Sequence, residues 1–452
     1  MLSGDWNPLH VDSVSARRTV MGAPVVHGMH LVLWAIDRWL ASKPGGRVRV
    51  LSLRAVFRKP VYLERDVVLD VKRDDDTIEI IATTVDGTGL ELSLRVGAGT
   101  DGDAPIAHRT WPDPIPPDEL TPENAARASG ELELGIDAHH AGAAFPLVCE
   151  RLGVPLVAEL VATTRIVGMH CPGLHSLYSG LSLEASSSTS RHLAFEVADA
   201  KLKYSMITLR VNGPSLAGRL DTFYRPQPAG SLAMDDVVRA VTPSSFADQR
   251  ALVVGGSRGL GEAFAKAIAA GGGEVCLTYH RGVADAERVV SEIRSAGLAA
   301  VAIALDVLSP SPLRDRWPFR APPTHLYYLA TPTLYAARKG AAFKSDELEL
   351  MVRYFVTGLH ATATNVVALG AEHLVVWTPS TTMLETSEGA AYCVAKAAME
   401  ELCRHLPTFL PVTVHAPRIG RVHTDQTIGL IQRTTASALE TALEALQRLV
   451  GT

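Results

Sequence analysis

Leu252-Val-Val-Gly-Gly-Ser-Arg-Gly-Leu-Gly261 is the stretch whose reading decides the fold of the C-terminal half, because in it an apolar run breaks into glycines. Val253 and Val254 have the character of the end of a buried parallel strand. Gly255, Gly259 and Gly261 supply a tight turn, with Ser257, Arg258 and Leu260 between them, and Glu262 to Ala270 is a helix-forming run. A strand, a glycine turn and a helix N-terminus together make an anion site, since backbone N–H groups and the positive end of the helix dipole face whatever binds there. Outward from this point, strand-like runs (Val275–Tyr279, Ala300–Leu305, Leu326–Ala330, Leu374–Trp377, Val412–His415) alternate with helical ones (Ala284–Ala296, Glu347–Leu369, Ala391–Leu406). That alternation predicts an α/β, doubly wound parallel sheet, which binds ligands at the carboxyl ends of its strands.

Further along lies Tyr392-Cys-Val-Ala-Lys396. Tyr392 and Lys396 fall one helical turn apart on one face. A nearby ammonium would lower the phenol pKa of Tyr392 and let it exchange a proton with a substrate oxygen. Ser380 lies just past the strand Leu374–Trp377, with Thr378 and Thr381 as alternative hydroxyls beside it.

Composition narrows the remaining classes. The 452 residues are enough for two or three domains, and a net charge of −5 with 47% hydrophobic residues is ordinary for a globular protein. No basic block points to nucleic acid, and no long apolar run points to a membrane span. The five cysteines are scattered without metal-type spacing, so reduced thiols and no metal are expected. The opening residues carry no signal pattern, and a cytoplasmic address is expected by default.

The N-terminal half reads differently. After Ser3-Gly-Asp5-Trp-Asn7-Pro-Leu-His10-Val-Asp12 and Val25-Val-His27-Gly28-Met-His30, Leu31 to Leu40 is an apolar helix. Strands are predicted over Arg47–Phe57, Asp66–Lys72, Thr77–Val85 and Leu90–Val96, which gives one helix wrapped by antiparallel strands. Residues 100–130 read as a proline-rich linker. A second unit of similar plan follows over 131–224, with a helical region Ala143–Val167 and strands Leu174–Glu184, His192–Ala198, Ser205–Val211 and Ala217–Tyr224. Residues 225–249 read as a second linker to the domain at 250–452. Asp5 and His10 could converge on one water, one giving and one taking a proton, as hydration of an activated double bond requires.

The string SGDWNPLHVD with the downstream VVHGMH resembles the hydratase motif of MaoC-like, (R)-specific enoyl-thioester hydratases and dehydratases. The resemblance implies an α+β double hot dog over residues 1–99 and 131–224, with the second repeat non-catalytic. It also implies that Asp5 and His10 bind and activate water, that Asn7 orients them, and that the backbone N–H of Gly28 polarises the thioester carbonyl. The family has a strand and helix ahead of this motif, whereas two residues precede Ser3, so either the chain starts late or the site lacks a wall.

The region from residue 250 resembles the short-chain dehydrogenase/reductase family. Val254 to Gly261 matches its glycine loop, Asp306-Val307 its adenine contact, Ala330 the cofactor-side end of its fourth strand, and Ser380, Tyr392 and Lys396 its catalytic set, Lys396 also holding the nicotinamide ribose. Tyr279-His280-Arg281 offers no carboxylate for a ribose hydroxyl, while Arg258 and Arg281 could meet a 2′-phosphate, so NADP(H) is favoured over NAD(H). Departures from the family are Tyr328-Leu-Ala-Thr331 for Asn-Asn-Ala-Gly, Phe355 at the proton-relay Asn, and Pro417-Arg418 for Pro-Gly.

Together the resemblances imply a bifunctional enzyme acting on acyl-CoA or acyl-carrier-protein substrates. It would reduce a 3-ketoacyl thioester and dehydrate the (R)-3-hydroxyacyl product, or run in the opposite direction, and a homo-oligomer is allowed. A reductase with an inactive hot-dog scaffold, and a non-catalytic acyl or nucleotide binder, are the alternatives.

Overall fold

The computed structural model describes residues 2–43, 45–74, 76–99, 106–188, 190–332, 343, 345–386, 389–427 and 435–449. The chain divides after Gln227 into two compact units.

The first unit is built from one motif used twice. Helix α1 (Gly28–Ala41) precedes β1 (Val48–Phe57), β2 (Val68–Asp74), β3 (Thr77–Thr84) and β4 (Gly87–Ala98). Strand β5 (Ser129–Glu133) and helices α2 (Ala138–Ala144), α3 (Pro146–Leu152) and α4 (Val154–Arg165) precede β6 (Ser176–Ala185), β7 (His192–Lys201), β8 (Met206–Asn212) and β9 (Leu216–Tyr224). All nine strands form one antiparallel sheet in the order β2-β3-β4-β1-β6-β9-β8-β7-β5. Each set of four repeats the order second, third, fourth, first, and the two first strands pair at the middle, Ser52 opposite Glu184 and Val56 opposite Gly180. Gly180 permits that pairing, because a Cβ there would lie 2.8 Å from the Ala55 carbonyl oxygen.

Alternation along the strands sends one face inward, as in the Ile78, Ile80, Ala82 set, where it joins α1 and α4 in a single hydrophobic core. Two buried carboxylates lock helices and turns together. Asp37 on α1 accepts from the N–H groups of Leu147 (2.9 Å) and Val148 (3.1 Å), capping α3 from another helix. Glu159 on α4 accepts from Ser215 and Leu216 and so anchors the turn between β8 and β9; burial raises its pKa.

The second unit holds β10 (Arg250–Val254), β11 (Glu274–Tyr279), β12 (Ala300–Ala304), β13 (His325–Tyr328), β14 (Leu374–Trp377) and β15 (Val412–His415). They are parallel, in the order β12-β11-β10-β13-β14-β15. Strand order reverses between β10 and β13, and ligands bind doubly wound sheets at such a reversal. The helices at issue are Gly259–Ala270, which follows β10, and Ala390–His405, which follows β14.

Two expectations need correction. Residues 225–249 are not only a linker: Met234–Ala240 is helical and buries Met234 and Val237 in the core beneath Gly259–Ala270. Four spaced residues, Met234, Val237, Val238 and Val241, carried that signal among prolines. The range 100–130 likewise overlaps β5, which begins at Ser129 rather than at Glu131. All five cysteines are free thiols. Among the described residues no single helix is long and apolar enough to cross a membrane.

Candidate functional site

Among the described residues of the first unit, a cluster of titratable groups lies at the N-terminus of α1. Asp5, Asn7 and His10, predicted as a set, meet there, and His27 joins them: ligating atoms of Asp5, His10 and His27 lie within 4.8 Å of one another. That spacing can hold a water, and it would also admit a cation. The Asp5 carboxylate is buried and fixed at both oxygens, accepting from the Asn7 N–H at 3.1 Å and from the Thr164 hydroxyl at 2.8 Å. Asn7, also buried, donates from its side-chain amide to the carbonyls of Gly168 (3.0 Å) and Gly173 (3.1 Å), and its Oδ1 caps Leu9.

Tautomers follow from the partners. His10 Nδ1 lies 2.8 Å from the Val25 carbonyl, which can only accept, so Nδ1 carries the proton and a neutral His10 offers a bare Nε2 as base. His27 stacks on His10 at 3.8 Å between centroids. Its Nε2 lies 3.2 Å from the Asp5 carbonyl and 3.5 Å from the Asp5 carboxylate. Burial, seconded by the neighbouring His10, pushes the His27 pKa down to about 4 in spite of Asp5. His27 is therefore neutral at pH 7.

This shift has a consequence for stability. The unfolded chain binds a proton at His27 near pH 6.5 and the folded chain only near 4, so stability is full above about 6.5 and falls as pH drops towards 4. The expected slope in that window is about 1.4 kcal/mol per pH unit from this group. Urea unfolding between pH 7 and 4.5 measures it, and His27→Gln should flatten the slope; an unchanged slope would show that His27 is not buried in neutral form.

Gly28 is the first residue of α1, so its N–H has no acceptor within the helix. A Cβ there would lie 2.7 Å from the Phe57 ring, which packs edge-on to Tyr178 at 5.3 Å. Tyr178 donates to the Thr163 hydroxyl. Residues Thr163, Thr164, Gly168 and Tyr178 all belong to the repeat expected to be silent. Sequence reasoning missed them as site components because nothing local marks them.

In the second unit, the glycine loop has the geometry its sequence implies. A Cβ on Gly261 would lie 2.2 Å from the Gly255 carbonyl oxygen, so helix and turn pack too closely for any side chain. Gly255 has φ +79°, and a Cβ on it would lie 3.1 Å from the Ala330 nitrogen at the end of β13. The helix Gly259–Ala270 has no side-chain N-cap, which leaves its first N–H groups to a ligand. Ser257 and Leu260 flank this loop, half-buried. Arg258 lies 3.7 Å from the Asp425 carboxylate. Arg281 is exposed, Asp306 accepts from the Leu308 N–H at 2.9 Å, and Val307 is buried beside it. Thr424, which was not anticipated, packs against Gly259: a Cβ there would meet its methyl at 3.2 Å.

The catalytic set expected around Tyr392 departs from its reading. Ser380 donates its hydroxyl to Glu400, which Arg418 grips with two 2.8 Å hydrogen bonds. Thr381, one of the alternatives, is the hydroxyl that hydrogen-bonds Tyr392, while Thr378 donates to the Tyr328 carbonyl. The Tyr392 phenol is not lowered: burial raises it to about 12. Lys396, buried, is pushed down to about 7 by burial; it donates to the Pro379 carbonyl at 2.6 Å and lies 4.1 Å over the Phe355 ring. Phe355 itself sits edge-on to Tyr392 at 5.7 Å, so the residue at the relay position fills the site with carbon.

Comparison with known proteins fits this division. A family model described as "MaoC like domain" matches residues 1–92, and one described as "short chain dehydrogenase" matches residues 249–316. The chain is 31% identical over 97 residues to the "(R)-specific enoyl-CoA hydratase" of Aeromonas caviae, covering 21% of this chain and 72% of that protein. The chain belongs to the MaoC-like hydratase family. It is 46% identical over 65 residues to a short chain dehydrogenase/reductase of Aspergillus aculeatus, a match covering 14% of this chain and 25% of that one. The chain thus spans about a quarter of the length of the curated reductases it matches. A solved short chain dehydrogenase from Burkholderia cenocepacia in complex with NADP is 24% identical, with a TM-score of 0.40, over 46% of this chain and 92% of that one.

Proposed function

We propose that the first unit is a double hot dog that adds water to, or removes it from, acyl thioesters. The observation that carries this reading is the buried Asp5 carboxylate, held by Thr164 and Asn7, with His10 and His27 within reach of the same water and the Gly28 N–H alongside. A 2-enoyl thioester would dock with its carbonyl at Gly28. Asp5 and the bare His10 Nε2 would take a proton from water and return one to the α-carbon, and the charge on the thioester oxygen would fall on the Gly28 N–H. The similar hydratase of Aeromonas caviae is named for enoyl-CoA, and carrier-protein thioesters share its chemistry. Hydration of crotonyl-CoA, followed as loss of the enoyl-thioester absorbance, tests the reading; no turnover by folded protein would sink it.

For the second unit the proposal is NADP(H) binding at the glycine loop, with reduction of a 3-ketoacyl thioester through Tyr392 and Lys396. Ala330 would line the nicotinamide side and Asp306-Val307 the adenine side. Arg258 and Arg281 would hold the 2′-phosphate, Arg258 exchanging Asp425 for it. Reduction here and dehydration in the first unit would then be consecutive steps. A second reading, nucleotide binding without reduction, is favoured by Ser380 being held by Glu400 and by Phe355 beside Lys396. NADPH oxidation with acetoacetyl-CoA separates the two. The expected result is turnover that falls about 10²-fold or more in Tyr392→Phe. NADPH binding without turnover would establish the second reading.

A further inference from the structure

Beside the hydration site lies a cluster of cations and N–H donors that the proposed chemistry does not use. Arg165 directly follows Thr164, the residue that holds Asp5, and only 6% of it is exposed. Its guanidinium stands 4.5 Å from the centre of the Trp111 ring, and that of Arg109 stands 5.3 Å from the same centre. Trp111 in turn covers Gly4, where a Cβ would lie 2.6 Å from the indole, so the cluster abuts the residue preceding Asp5.

The hydrogen bonding here is one-sided. Arg165 Nε and Trp111 Nε1 are buried donors with no acceptor among the described residues. Arg165 gives one bond, a long one of 3.3 Å, to the Glu133 carbonyl. Arg109 takes the Glu133 carboxylate at 2.6 Å. One carboxylate thus faces two guanidiniums, and a net positive charge remains. Proximity of Arg109 adds to burial in disfavouring the charge on Arg165. A buried guanidinium with an idle N–H, a like charge beside it and the idle indole N–H of the ring between them is an arrangement that an anion completes, since charged groups out of water need paired, hydrogen-bonded partners. Arg109, about one-third exposed at its side chain, opens the cluster to solvent.

We infer that Arg109 and Arg165, with the indole N–H of Trp111, form a phosphate subsite beside the hydration site that takes a phosphate of the thioester's carrier. The proposal rests on the hydratase reading and adds a component of substrate recognition to it. Guanidinium suits this ligand because its planar donors match phosphate oxygens. Two sources carry such a group: the phosphate on the pantetheine arm, common to CoA and carrier proteins, and the phosphates of the adenosine end of CoA.

The test compares three crotonyl thioesters, of CoA, of phosphopantetheine and of pantetheine, which lacks phosphate. The readout is the ratio of kcat/KM for each phosphorylated substrate to that for crotonyl-pantetheine, so a partly unfolded variant cannot mimic the effect. In Arg109→Ala the CoA ratio is expected to fall about tenfold, and Arg165→Lys, which keeps charge but loses the planar donors, to fall less. A fall in the phosphopantetheine ratio as well assigns the arm's phosphate; a fall for CoA alone assigns the adenosine end. Unchanged ratios in both variants overturn the proposal. If the wild type hydrates none of the three, the hydratase reading fails, and calorimetric titration of Arg109→Ala with coenzyme A against pantetheine decides the subsite by itself: CoA affinity lost relative to pantetheine supports it, and equal affinities overturn it.

Discussion

Asp5→Asn is expected to lower kcat/KM for hydration of crotonyl-CoA by about 10³-fold, the scale of a positioned proton-transfer group. The exchange preserves shape, so its effect reports chemistry. Asp5 is buried, and both its oxygens already accept from this chain, one from the Asn7 N–H and one from the Thr164 hydroxyl. An amide keeps both contacts only by turning its oxygen to the Asn7 N–H and its NH2 to the Thr164 hydroxyl, which then accepts instead of donating. The substitution therefore removes the proton acceptor and reverses the Thr164 hydrogen bond. His10 remains, with its Nδ1 proton held by Val25, and a weak residual rate is expected from it. Steady-state hydration measured alongside urea unfolding separates the two effects. A loss of less than tenfold at unchanged stability would mean that water is activated elsewhere.

Gly168→Ala is expected to cost at least about 10²-fold in the same assay, although it lies in the repeat without a hydratase motif. Helix propensity alone favours alanine over glycine by about 1 kcal/mol. Tertiary packing reverses the sign. A Cβ at Gly168 would stand 2.2 Å from one Asp5 oxygen and 2.5 Å from the other, far inside contact distance, and the carboxylate has no free direction to yield. Either Asp5 swings out of the cluster or the turn Ile166–His170 shifts and carries away the carbonyl that Asn7 uses. A destabilisation of about 1–3 kcal/mol should accompany the lost activity. Gly142→Ala is the control: it too lies in a helix, with open space around it, and should be neutral or slightly stabilising. Wild-type activity in Gly168→Ala would show that the second repeat does not form the wall of the site.

The same contrast runs through the whole chain. Strands β1 to β4 and β6 to β9 lie within a few residues of their sequence-based bounds, because their alternating apolar positions face one core. The glycine loop was legible for a stronger reason. Gly255 needs a positive φ and Gly261 has a carbonyl oxygen 2.2 Å from where its Cβ would be, and both demands are local. Met234–Ala240 was not legible, since its short apolar face acquires meaning only against the helix it covers. The expectation for Tyr392 failed similarly. Spacing on one helix puts Lys396 near it, but spacing does not reveal that Phe355, from another helix, takes up the ammonium and that Thr381 rather than Ser380 meets the phenol.

By itself, then, the sequence determined the two unlike halves, the nucleotide-type loop and the Asp5, Asn7, His10 string, because periodicity, turn chemistry and motif spacing are properties of neighbours along the chain. Tertiary structure alone decided what completes each site. Thr164 and Gly168 meet Asp5 from more than a hundred and fifty positions away along the chain, and Glu400 diverts Ser380 from a different element. Contacts of that kind are set by how two surfaces pack, and no local pattern encodes which side chain will meet which.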